Sequence, residues 1–389
     1  MAQDVAILDF GSGKITVLVG RRGVNNTICI SGMGECDYAG FTDGEFLEPE
    51  QVSYVVGHAI ANAETNSRTK VKHLFIGVPG EFTAAVCREA SLSLGGKKRK
   101  ITDADIDALH EQGDSYKNNP DYTLINSQPV YYTLEDGRRL IQPVGLPSAK
   151  IGGLISYILG ENKFISFIDG IMRSLGIESY DYISSLLAET LFLFDDVVRD
   201  KFVVLIDCGY ITTNVVVARG DGILAQYNIP LGGGYITGDL AMYLNISFSQ
   251  AEALKRKVVL SLNVGEEDKY QITANRSDIL EFPAQIANEI VAYGIKKIAD
   301  TVAKCLKECP YDYPDYIPYH LTGGGLSYMK GARELLSKHL TKPVEVVAPR
   351  LPQFNRPHLS ASLGLLDMVL SLQPPEEKKG FFAKLFGKK

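Results

Sequence analysis

Residues 5–20 read VAILDFGSGKITVLVG: an apolar run, Asp9, a Gly11-Ser12-Gly13-Lys14 turn, and a second apolar run. β-formers on both sides of a glycine-rich turn predict a hairpin, not a strand feeding a helix. The pattern returns at 202–222, FVVLIDCGYITTNVVVARGDG, around Asp207, Gly209, Thr212, Thr213 and Asn214. The two aspartates stand 198 residues apart, too far for a solenoid and suited to a duplicated domain.

That spacing excludes two look-alikes. A Walker loop needs a glycine five places before Gly13, where Leu8 stands, and it opens a helix. The DFG triplet of a kinase needs an upstream lobe and an HRD-like loop, and neither has a counterpart here. Two facing hairpins, each with an aspartate at a strand end, fit another design. Backbone N–H groups of the turns clamp a nucleotide's phosphates, and Asp9 and Asp207 hold Mg²⁺ through its waters. A third element, YHLTGGGLSYMKGARELLSKHL (319–340), runs a strand into Gly323-Gly324-Gly325 with a helix expected nearby. Three glycines let a backbone lie against a planar ring or a phosphate.

The totals agree with such a protein. The chain has 389 residues, 45% hydrophobic and 22% charged, which predicts a soluble chain of two or three domains. A net charge of −6 argues against a nucleic-acid partner. No run approaches the ~18 apolar residues of a membrane span, and the start lacks a basic secretory n-region, so a cytoplasmic body is expected. The six cysteines (29, 36, 87, 208, 305, 309) show no disulfide or metal spacing and are expected to be reduced and mostly buried.

Taken together, LDFGSGK (8–14), LIDCGYITTN (205–214), IPLGGGYITGDLA (229–241), SQAEALK (249–255), LTGGG (321–325) and NRPHLSASLGLL (355–366) resemble the actin, Hsp70 and sugar-kinase superfamily. Within it the chain is most similar to the bacterial division family FtsA. The resemblance implies a duplicated actin-like (ribonuclease H-like) α/β fold, two lobes around a nucleotide cleft. It places the first lobe core at 1–83 and 163–196, and an FtsA-type inserted subdomain at 84–162. The second lobe core falls at 197–241 and 318–372, with a small subdomain at 242–317. It implies ATP and Mg²⁺ as cofactors, held by Asp9, Gly11, Ser12, Gly13, Lys14, Asp207, Gly209, Thr212, Thr213, Gly232, Gly233, Gly323, Gly324 and Gly325. Lys14 is expected to reach inward to phosphate oxygens, and Glu252 and Lys255 to lie near the ribose and base. Inside the insertion, Thr102 and Asp105 form a capping-box pair that predicts a helix start, and the basic run 97–100 reads as a solvated hairpin tip.

The second hairpin departs from the family. Tyr210 and Ile211 occupy glycine positions, and Asn214 replaces an aspartate. Ser184-Ser185 stand where the family tends to place Glu-Pro, which leaves Glu189 as the candidate to orient an attacking water. ATP binding with slow or absent turnover is the expectation.

The tail changes character. After Leu372 comes QPPEEKKGFFAKLFGKK, a linker (373–380) and then Phe381, Phe382, Leu385 and Phe386 at helical spacing among Lys384 and other lysines. This predicts an amphipathic helix lying in a membrane interface, drawn to anionic lipid by about 1 kcal/mol per lysine. One such tail binds reversibly; a filament presenting many binds firmly. The resemblance implies a scaffold on the cytoplasmic face of the membrane at the division site. It would polymerise with itself, receive the FtsZ C-terminal peptide at 242–317 near Arg276, Lys296 and Lys297, and meet other division proteins. Two alternatives share the fold: a PilM-like type IV pilus assembly platform and a small-molecule kinase.

Overall fold

The computed structural model describes residues 4–24, 27–116, 119–274 and 278–372. Strand β1 (Val5–Phe10), buried along its whole length, pairs antiparallel with β2 (Lys14–Arg22), so that Asp9 lies opposite Thr16. Strand β3 (Ile28–Asp37) extends the sheet. A short hairpin of β4 (Phe41–Thr42) and β5 (Glu45–Phe46) leads to helix α1 (Pro49–Ser67). Helix α1 buries Val52, Val56, Ala59 and Ala63 against the sheet. It comes so close that a Cβ at Gly34 would sit 2.0 Å from the Ala59 carbonyl oxygen.

Strand β6 (Leu74–Val78) then runs parallel to β1. The chain leaves this sheet for a second one, built from β7 (Thr83–Ser93), β8 (Arg99–Lys100), α2 (Asp103–Gly113), β9 (Tyr122–Leu134), β10 (Arg139–Leu140), β11 (Pro147–Ser148) and β12 (Lys150–Glu161). Its four main strands are ordered β10-β9-β12-β7. Helix α2 starts as the sequence predicts: the Thr102 N–H and hydroxyl both donate to Asp105 at 2.8 Å. The basic run beside it is solvated as expected, exposed at all four positions 97–100, with Arg99 gripping both Asp105 oxygens at 2.6 and 2.7 Å and Lys98 paired with Glu135.

The chain returns through α3 (Asn162–Ser174), β13 (Tyr180–Ser184), α4 (Ser185–Leu193) and α5 (Asp196–Arg199), completing a first sheet of order β13-β6-β1-β2-β3. The second half repeats the plan with β14 (Val203–Cys208), β15 (Thr213–Arg219) and β16 (Gly222–Ile229). Then come α6 (Gly233–Leu244), α7 (Phe248–Lys255), β17 (Lys269–Ala274), β18 (Asp278–Pro283) and α8 (Ala284–Lys307). Strand β19 (Tyr319–Thr322), α9 (Ala332–Leu340), β20 (Val344–Val346) and α10 (Ser360–Leu372) complete the described residues. The sheet order β16-β15-β14-β19-β20 is that of the first sheet, element for element, so the two hairpins noticed in the sequence are equivalent parts of a duplicated unit.

Two helices bind the halves by exchange. Helix α10, from the second half, packs Leu363 and Leu366 with Ile7 and Leu18 of the first sheet. Helix α4, from the first half, packs Leu186 and Leu187 with Leu205 and Val216 of the second. They meet where a Cβ at Gly364 would fall 2.7 Å from the Ala188 carbonyl oxygen. The inserted sheet adds a further tie: Ser156 Oγ donates to the Ile223 carbonyl at 2.6 Å, and Gln226 Nε2 donates to the Thr83 carbonyl at 2.7 Å.

The helix expected near the three glycines begins at Ala332, after a run of turns and a bridge from Lys330 to Val259. One expectation needs correction. All six cysteines are free, but only Cys208 is fully buried; Cys29 is exposed, because it lies on a strand with one open face. Among the described residues no helix is long and apolar enough to cross a membrane. The linker at 373–380 and Phe381, Phe382, Lys384, Leu385 and Phe386 lie outside the described residues, as does Arg276.

Candidate functional site

The duplicated sheets bring the ends of β1 and β14 together at their common seam. Asp9 is buried there, and Asp207 is set deep while keeping part of its surface open. Desolvation, then the repulsion of Asp207, pushes the Asp9 carboxyl up to about 7, with the nearby Ser185 hydroxyl pulling the other way. Burial likewise raises Asp207 to about 6, against the stabilising side chain of Asn214. The exchange of aspartate for Asn214 therefore has a local meaning: an amide supports Asp207 where a carboxylate adds one more negative charge.

Glu189, the candidate on α4, joins them. It is 1% exposed, its pKa is driven well up by burial and by both aspartates, and its Oε2 has no hydrogen-bond partner among the described residues. Helix phase alone could not show this reach, because the packing of α4 against the second half aims the side chain. Three mutually repelling carboxyls, one with an orphaned buried oxygen, make a setting that a hydrated cation would relieve. No three such side chains among the described residues converge closely enough to ligate a metal directly.

The glycine segments supply the walls. Gly323 has φ +83°, and a Cβ there would fall 2.3 Å from Asp207 Oδ1. A Cβ on Gly325 would lie 2.3 Å from the Gly209 carbonyl oxygen, and the Gly325 N–H donates to the Cys208 carbonyl at 2.7 Å. Gly232 and Gly233 pack against the Tyr210 carbonyl and Gly325 in the same way. Gly324 is different: its Cβ would meet only His358, at 3.3 Å. In the first turn the Gly11 N–H bonds the Lys14 carbonyl at 2.9 Å, while the Ser12 and Gly13 N–H groups have no partner among the described residues. Gly209 mirrors Gly11 by bonding the Thr212 carbonyl at 2.9 Å, and the Thr213 hydroxyl donates to the Leu231 carbonyl at 2.6 Å.

Three side chains stand differently from expectation. Lys14 points sideways, 3.4 Å from Glu35 and 3.8 Å from Asp37, because β3 presents both carboxylates beside it. Such an exposed pair is worth at most about 1 kcal/mol, so the lysine is free to swing. Lys255 is buried and tied to the Gly233 carbonyl at 2.8 Å, Thr237 Oγ1 at 2.7 Å and Glu252 at 2.7 Å. Glu252 in turn accepts the Thr237 hydroxyl at 2.6 Å, so the two residues brace the first turn of α6 from behind. Sequence reasoning missed Tyr38, whose hydroxyl donates to the Gly11 carbonyl at 2.7 Å and pins the first tip; a lone tyrosine at a strand end carries no signal of that role.

With this geometry in place, the chain's relatives become informative. The family model for cell division protein FtsA matches residues 204–364. Cell division protein FtsA of Neisseria meningitidis is 22% identical over 385 residues, covering 95% of this chain and 91% of that protein. The Pseudomonas aeruginosa protein of the same name is 22% identical over 347 residues, 88% of this chain and 82% of its own length. Among solved structures, a chain of the PilM–PilN type IV pilus biogenesis complex superimposes with a TM-score of 0.63 at 15% identity, covering 96% of this chain and all of that one. Spiroplasma citri MreB5 bound to AMPPNP gives 0.55 at 11% identity, over 95% and 98% of the two chains. The shared architecture is the duplicated actin-like fold.

Proposed function

We propose, from its similarity to FtsA cell division proteins along nearly its whole length, that the chain is an ATP-binding, membrane-attached scaffold of the division apparatus. The observation that carries the nucleotide part is the meeting of Asp9, Asp207 and the orphaned Glu189 at the seam between two glycine-walled hairpin tips. Asp9 and Asp207 would hold Mg²⁺ through its waters, which neutralises phosphate charge when bound. The open N–H groups of Ser12 and Gly13 would receive phosphate oxygens, with Lys14 swinging in from Glu35. The glycines at 209, 232, 233 and 323–325 would admit the nucleotide's backbone-close approach, with Thr212 and Thr213 shaping the second turn and Glu252 and Lys255 bracing α6.

Turnover is slow or absent in this reading. Tyr210 and Ile211 crowd the second tip, and Glu189 is almost wholly buried. The nucleotide then works as a structural element of a filament more than as fuel. Release of phosphate at rates typical of actin-like ATPases, lost in Asp207→Ala, speaks against this part.

The amphipathic segment 381–389 would attach the protein to anionic lipid at the cytoplasmic face, and polymerisation would make the attachment firm. We assign the FtsZ peptide to the small subdomain at 242–317. Lys296 and Lys297 there are engaged with Asp300 and Asp239. A groove of about 400 Å³ where this subdomain's α8 meets α9 of the second lobe core, lined by Leu260, Val264, Ala292 and Leu335 and edged by Glu289, Glu334 and Lys338, offers the seat. Sedimentation with anionic liposomes and ATP tests the whole reading. Pelleting that requires residues 374–389 and carries FtsZ down is expected; pelleting indifferent to the truncation removes the membrane role.

A further inference from the structure

The hairpin tips do not face each other across open space. Ser12 Oγ, on the first tip, accepts the N–H groups of both Tyr210 and Ile211 on the second, each at 3.1 Å. Behind them, the Tyr210 carbonyl accepts the Gly234 N–H at 2.7 Å, and the Gly209 carbonyl accepts the Gly233 N–H at 3.0 Å. Four donors of the kind that bind phosphate, two on a turn and two at a helix N-terminus, are therefore already bonded.

The Tyr210 ring completes the closure. A Cβ on Gly13 would lie 2.9 Å from its Cδ1, and one on Gly234 would lie 3.2 Å from its Cε2, so the ring bridges the first tip and the start of α6. It is steadied edge-on by Phe248, with ring centroids 6.4 Å apart. Ile211 reaches the other way, its Cδ1 2.6 Å from where a Cβ on Gly40 would sit.

We propose that Ser12, Tyr210 and Ile211 form an interlobe latch, which the terminal phosphate of a nucleoside triphosphate has to displace and which a diphosphate leaves closed. The inference rests on the nucleotide-binding reading above and adds to it a preference for the diphosphate. Triphosphate binding becomes the event that frees the Tyr210 and Ile211 amides from Ser12 and turns the ring out of the gap. Glycine at 210 would cost the latch its ring, and alanine at 12 would cost it both hydrogen bonds.

Calorimetric titration of the full chain with Mg²⁺–ADP and Mg²⁺–AMPPNP tests it, on wild type, Ser12→Ala, Tyr210→Gly and Tyr210→Phe. In Tyr210→Gly, which keeps both hydrogen bonds and loses only the ring, the affinity for AMPPNP is expected to rise about threefold relative to ADP. Ser12→Ala, which removes both hydrogen bonds, is expected to shift the same ratio by at least about tenfold, and Tyr210→Phe to behave as wild type. Hydrogen exchange on the wild-type protein reads the latch without any substitution: amides 209–213 should exchange faster with AMPPNP than with ADP. Binding of both nucleotides with unchanged ratios and identical exchange overturns the latch and leaves the nucleotide reading standing. No binding by any of the four proteins overturns both.

Discussion

Gly323 and Gly324 are neighbours of one residue type with unequal burdens. Gly323 combines φ +83° with a Cβ position 2.3 Å from Asp207 Oδ1, whereas Gly324 has an ordinary φ and a single 3.3 Å neighbour in His358. Alanine at 323 must strain the backbone and push Asp207 aside, a loss of about 2–4 kcal/mol. Alanine at 324 should cost less than about 1 kcal/mol, because His358 has room to give. Urea unfolding of the two variants should separate them clearly, and equal losses would mean the Asp207 contact is not what holds the loop. The sequence marked the triplet as a place of close approach but could not rank its members, since that ranking depends on strand β14, which pairs beside β19 in space but lies far from it along the chain. The resting direction of Lys14 is illegible for a similar reason: Glu35 and Asp37 on β3 decide it, and no local pattern records them.

At the scale of the element, helix α2 was legible because its start signal is local. Thr102 and Asp105 are three residues apart, and the box they form needs nothing beyond the turn itself. What the sequence left out is Arg99, which grips the same carboxylate and, with the Thr102 N–H, holds its pKa well below the usual carboxylate range. The sign follows from that depression. The unfolded chain takes up the proton first, so the stabilisation is complete above the ordinary aspartate pKa of about 4 and fades as pH falls below it. Asp105→Asn should therefore cost about 1 kcal/mol at neutral pH, as a lost cap does, and distinctly less near pH 2. Thermal melts of both proteins across that range check the prediction; a difference that does not shrink on acidification contradicts it. The inserted sheet that α2 rests on also touches the second half. Its bonds to β16 arise from Ser156 and Thr83, whose partners lie more than sixty residues away, and such pairings have no sequence signature.

The whole molecule was readable as a duplication because Asp-x-Gly between apolar runs is rare enough to notice twice, and the repeated sheet order follows from it. How the halves are joined was not readable, since α4 and α10 are apolar nearly all round and periodicity does not say which sheet receives them. Their exchange makes Gly364 the point where one substitution should reach both halves. A valine there has its Cβ 2.7 Å from the Ala188 carbonyl oxygen and 2.8 Å from Glu189 Cα, and neither backbone atom can move without shifting α4. Displacing α4 loosens the leucines that pack on Leu205 and Val216, and it also withdraws Glu189 from Asp9 and Asp207. Gly364→Val should therefore lower stability by about 2–3 kcal/mol, the usual cost of overpacking. It should also shrink the rise in melting temperature that saturating Mg²⁺–ATP gives the wild type, a linkage of about 2.7 kcal/mol at a hundred times the dissociation constant. Gly238→Val, on α6 with nothing within 4 Å of its Cβ position, supplies the comparison, because it should keep the full nucleotide-dependent rise. A Gly364→Val protein that melts lower yet retains that rise would show α4 and α10 to be structural ties alone, with no hold on the site between the lobes.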